Sequence, residues 1–99
     1  MEQSRILEIV LKTLESANLG RTDAQQLEVS PTAALFGAGS PLDSLGLVAL
    51  LIDIEEAFAV EGHPLVLSDE RAVSQRRSPF RDVPSLVRYI DGLLNQAAT

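Results

Sequence analysis

Three stretches of this chain repeat apolar residues at intervals of three and four, and none alternates them at intervals of two, so the pattern calls for helices packed on helices. The strongest runs from Asp43 to Phe58, where Leu47, Leu51, Ile54 and Phe58 form one stripe and Leu45, Val48 and Ile52 widen it. The opposite side reads Gly46, Ala49, Asp53 and Glu56, small near its start and acidic later. An earlier stretch places Leu7, Val10, Leu14 and Ala17 on one face, with Glu8 and Lys12 as an outward pair four apart. It predicts a helix of about four turns ending near Asn18–Gly20, where Gly20 would supply a left-handed cap. In the third, Asp82 caps a helix carrying Val83, Leu86, Ile90 and Leu93.

The connections complete the layout. Residues 21–42 form a long first loop with Pro31, Gly37, Gly39 and Pro41, and Leu35 and Phe36 within it are expected to plug into the core. Gly62 and Pro64 stop the second helix, and Ser68 is placed to cap a short helix from Asp69 to about Arg76, which Pro79 ends. Acids open that short helix and arginines close it, as the helix dipole prefers. The expected fold is all-α: a small four-helix bundle, three helices longer and one short, with residues 1–99 as a single domain.

Composition narrows what such a bundle can do. With no cysteine and one histidine, the chain offers neither a disulfide nor a metal-ligand set, and no metal site is expected. Leu, Val, Ile and Ala must fill the interior, since aromatics are 4% and Trp is absent. The net charge of −6 disfavours nucleic acid and favours basic protein surfaces. Neither a signal peptide nor a membrane span is legible, which predicts a cytoplasmic protein. Basic residues concentrate late, with Arg71, Arg76, Arg77 and Arg81 in one stretch; they read as dipole complementation and surface solubility, or as a feature of particular partners.

The chemistry centres on "SPLDSLG", residues 40–46. Asp43 and Ser44 are ordinary helix-starting residues, whose side-chain oxygens accept from unpaired first-turn N–H groups. A serine nucleophile is disfavoured: Ser44 lacks the Gly-x-Ser-x-Gly elbow, and His63, the one candidate base, stands beside Pro64 in an expected exposed turn. Gly37 and Gly39 are not followed by Gly-Lys-Ser/Thr, so they do not make a phosphate loop.

The stretch "LFGAGSPLDSLGLVALLIDIEEAF", residues 35–58, resembles the acyl carrier protein family. The resemblance lies in the register of Leu35-Phe36, Gly39, Asp43-Ser44-Leu45 and the stripe to Phe58, and it extends to "LVRYIDGLL" in the last helix. It implies a protein that is not an enzyme. Ser44 would carry 4′-phosphopantetheine, donated from coenzyme A by a phosphopantetheinyl transferase, with Asp43 beside it as a partner-facing acid and Leu45 anchoring the helix start in the core. The arm would hold an acyl or aminoacyl group as a thioester, for acyl-loading synthetases or ligases and for acyl-processing or transferring enzymes of fatty-acid, polyketide or other secondary metabolite biosynthesis.

The resemblance also implies that Asp43, Asp53, Glu55 and Glu56 form an acidic partner face, and that Val48, Ile52 and Ile90 could line an acyl-chain pocket. Gly46, Ala49 and the arginine-bearing stretch depart from the uniformly acidic carriers of fatty-acid synthesis, which points to a carrier dedicated to a specialised pathway; a monomer is expected. A second reading needs no arm: a non-covalent helical adaptor whose acidic second helix docks on a basic partner, with Ser44 only a cap.

Overall fold

The structure, a computed structural model, describes residues 2–35, 44–67 and 80–98. Among these residues it is helical: α1 spans Gln3–Asn18, α2 Ser44–Val60 and α3 Val83–Ala98, with a single 3-10 turn at Asp23–Gln25 in the first loop. The expected short helix at residues 69–76, its cap Ser68, and Pro79 lie outside the described residues. No described helix is long and apolar enough to cross a membrane.

Helix α1 packs against both α2 and α3. The expected stripe holds, but it is rotated: Val10 and Leu14 are buried, Leu7 and Ala17 are half-buried, and Ile6, Ile9 and Thr13 are buried as well. A helix with neighbours on two sides must bury a wider arc than one stripe of three-and-four spacing describes. Thr13 satisfies its hydroxyl within the helix, donating to the Ile9 carbonyl at 2.9 Å. Glu8 and Lys12 face outward as expected, 3.8 Å apart.

Helix α2 places Leu47, Leu51, Ile54 and Phe58 wholly inside, against Ile6, Leu14, Leu86 and Ile90 in one core cluster. Each such side chain stabilises the fold by about 1.5–3 kcal/mol relative to leaving it exposed. The loops contribute too. Leu27, Ala33, Leu35, Leu67 and Phe80 are all buried, whereas only Leu35 and Phe36 were expected there, and Phe36 lies outside the described residues.

The first loop is stitched to the entrance of α3. Ala34 and Asp82 form an isolated antiparallel bridge, in which Leu35 N–H donates to the Arg81 carbonyl at 2.8 Å and Val83 N–H to the Ala33 carbonyl at 2.9 Å. Asp82 then caps α3 as expected, its Oδ1 accepting from the Ser85 N–H at 2.8 Å. Burial pushes the Asp82 carboxyl up, but the Ser85 hydrogen bonds, with Arg81 and Arg88 nearby, outweigh it and hold the group below the usual carboxylate range. Phe80 stacks edge-on against Tyr89, centroids 5.5 Å apart.

The two helix exits differ from each other, and one differs from expectation. Gly20 is not in a left-handed conformation; Leu19 closes α1 with right-handed φ −60°, and Asn18 holds the exit instead. Its side-chain amide donates to the Leu27 carbonyl at 2.9 Å and accepts from the Leu27 N–H at 2.7 Å. The left-handed glycine is Gly62, with φ 84°. There Gly62 N–H reaches the Ala59 carbonyl at 3.0 Å and His63 N–H the Phe58 carbonyl at 2.9 Å, the Schellman arrangement that pairs the last carbonyls of α2.

Candidate functional site

Ser44 is the first residue of α2. Its backbone therefore stands where the opening N–H groups of a helix lack intrahelical acceptors and the macrodipole is positive. Asp43 and the Ser44 side chain lie outside the described residues. Behind them, α2 is held rigidly by Leu47 and Leu51, both fully buried.

Leu45 departs from expectation. It does not anchor the helix start in the core: it is 81% exposed. At roughly 100° per residue, Leu45 lies ~160° around the helix from Leu47, on the side opposite the buried stripe. Ile52, two turns on from Leu45, is likewise 42% exposed, and Ala49 between them is exposed. The residues read as widening the stripe therefore split, with Val48 alone half-buried against the core.

The three residues expected to line an acyl pocket occupy different environments. Ile90 is fully buried in the core, Val48 is half-buried and Ile52 is outside. The acidic face also divides. Asp53 and Glu56 are exposed, but Glu55 turns toward the segment after α2, where its carboxylate accepts from the Leu67 N–H. That bond holds the chain where Leu67 enters the core, so Glu55 is a structural acid as well as a charge on α2. Spacing alone could not separate it from its neighbours, because its acceptor role depends on where residue 67 returns.

A feature absent from the sequence reading lies beside these acids. Between α1 and α2 runs an open cleft of about 530 Å³, with Ile9, Ala17 and Ala57 among its lining residues and Asp53 and Glu56 on the α2 wall. Arg5 at one end forms an ion pair with Glu61 just beyond α2, joining the start of α1 to the end of its neighbour. Neither this cleft nor a smaller recess of about 320 Å³ beside Leu7, Pro31 and Val87 is lined by Val48, Ile52 or Ile90. Among the described residues, no group of three or more His, Asp or Glu side chains is placed to hold a metal ion. His63 is exposed in the turn after α2.

Compared with protein-family models, curated proteins and solved structures, the chain finds no match.

Proposed function

We propose that the chain is an acyl carrier whose Ser44 hydroxyl is joined through a phosphodiester to 4′-phosphopantetheine, transferred from coenzyme A by a separate phosphopantetheinyl transferase as the coenzyme's pyrophosphate bond breaks and adenosine 3′,5′-bisphosphate leaves. The observation that carries this reading is the position of the Asp-Ser-Leu serine as the first residue of a 17-residue helix whose inner face is locked into the core. An anionic diester suits that position, since a helix N-terminus stabilises a nearby anion by about 0.3–1 kcal/mol.

The residues present are compatible with the group. Ser44 would hold it, and the first-turn N–H groups of α2 would face its negative charge. Leu45, outward and exposed, gives a modifying or acyl-handling enzyme an apolar contact next to the attachment point. Once attached, the arm supplies a thiol on which an acyl or aminoacyl cargo is held as a thioester. Tethering keeps that cargo at about millimolar effective concentration near a docked partner. Asp53 and Glu56, exposed along the same helix, offer charge to basic surfaces on the transferase and on loading synthetases or ligases. In this reading the protein works as a monomer in the cytoplasm, in a specialised biosynthetic pathway, and catalyses nothing itself.

Intact-mass spectrometry after incubation with coenzyme A and a broad-specificity transferase tests it. The wild-type chain is expected to gain one phosphopantetheine and Ser44→Ala none. A folded wild-type chain that gains no mass, or a Ser44→Ala chain that gains it equally, overturns the reading.

A further inference from the structure

We infer that the cleft between α1 and α2 is a docking groove for a basic amphipathic helix of a partner protein. Its α1 wall runs from Arg5 to Ala17, twelve steps of 1.5 Å or ~18 Å, which is about three turns of a helix laid along it. Two adjacent helices present a furrow that receives the ridge of a third. Ile9, Ala17 and Ala57 line this furrow, and Val60, 85% exposed, opens its end to solvent.

The charges choose the occupant. Both cations of the α1 wall already have acids: Arg5 pairs with Glu61 and, at 3.2 Å, with Glu8, while Lys12 lies 3.8 Å from Glu8. Across the furrow Asp53 and Glu56 are exposed, and neither makes an ion pair among the described residues. The uncompensated charge is thus two carboxylates three residues apart, separated along the helix axis by ~4.5 Å. A helix with Lys or Arg one turn apart on its flank and small apolar residues on its face meets both features at once. A phosphate backbone or an anionic lipid surface would meet the carboxylates unfavourably, and a second copy of this chain would bring its own net charge of −6.

The groove is separate from the attachment point. Asp53 stands nine positions and Glu56 twelve positions after Ser44 along α2, or ~14–18 Å of helix, so an occupant would leave Ser44 accessible. The inference does not rest on the carrier reading, and it is tested on the unmodified chain.

The test is a titration of the ¹⁵N-labelled full chain with a 14-residue helical peptide bearing leucine and alanine on one face and lysines four apart on its flank. Controls are the same peptide with glutamate for lysine, and a scrambled isomer. Saturable shifts of the Ile9, Thr13, Ala57 and Val60 amides are expected, weakening with salt. Affinity should fall at least tenfold in the Asp53→Lys/Glu56→Lys double variant and in Val60→Lys, both at exposed positions, with circular dichroism unchanged. Ser44→Ala should bind as wild type. The inference is overturned by absence of saturable shifts, by equal binding of either control peptide, by shifts centred on Leu45 and Ile52, or by a dimer in sedimentation whose formation alone shifts these amides. Because no arm is involved, peptide binding with no mass gain in the transferase assay would sink the carrier reading alone.

Discussion

Helices α1 and α2 are neighbours of nearly equal length, yet they divide their surfaces differently. Helix α1 is two-faced: Ile6, Val10 and Leu14 go inside, while Glu8, Lys12 and Glu15 stay in water. Helix α2 has apolar residues nearly all round, so that after Leu47, Leu51, Ile54 and Phe58 are buried, Leu45 and Ile52 remain outside. Core formation accounts for the first helix and leaves a surplus on the second. That surplus starts at Leu45, beside Ser44, on the side of α2 that the core does not use.

The largest effect that tests this contrast is within α2. Leu51→Ala should destabilise the chain by about 2–5 kcal/mol, as large-to-small changes in a packed core do, whereas Leu45→Ala should stay within about 0.5 kcal/mol. Urea unfolding of the two variants measures both. Comparable losses would mean that Leu45 is a core residue and that the two helices do not differ as described.

The exits of the two helices come next. Asn18→Ala removes both side-chain bonds to the Leu27 backbone and should cost about 1–3 kcal/mol, read from the shift in unfolding midpoint. Gly62→Ala places a Cβ at φ 84°, a left-handed cost of about 1–2 kcal/mol. Gly20→Ala should show no such loss, since Gly20 has no positive φ and nothing lies within 4 Å of an added Cβ. If Gly20→Ala proved the more damaging of the two, the assignment of the α2 exit to a backbone cap and the α1 exit to a side-chain clamp would be reversed.

The smallest effect extends the comparison to α3, whose start is held by a side chain. Asp82→Ala should cost about 1 kcal/mol at neutral pH. The Asp82 carboxyl is held below its unfolded value, so its contribution is fully present above the ordinary carboxylate pKa and lost as pH falls through the lower folded value. The gap between wild type and variant should therefore close on acidification, which unfolding curves across that range would register. A gap that widened toward low pH would contradict the direction of the shift.

Much of the fold was legible in the residues because three-and-four spacing is a local property. The inner stripe of α2, the Asp82 cap and the outward Glu8–Lys12 pair all stand as spacing placed them. Leu45, expected at the core, is exposed, and the same spacing accounts for it: its angle around α2 sets it opposite Leu47. Of the candidate site, the position of Ser44 at the helix start was legible. The α1–α2 cleft was not, since it is made by two segments far apart in the chain, such as Ile9 and Ala57, 48 positions apart.

By itself the sequence determined the three described helices, the inner stripe of α2 and the serine at its head, because period, capping residues and breakers act within a turn or two of the chain. Tertiary structure alone decided which acids remain available. Glu55 is engaged by the returning Leu67 N–H, Arg5 and Glu61 meet across 56 positions, and Asp53 and Glu56 are left facing a furrow. The physical reason is that a carboxylate's role depends on which donors come within hydrogen-bonding reach, and those donors arrive from distant parts of the chain.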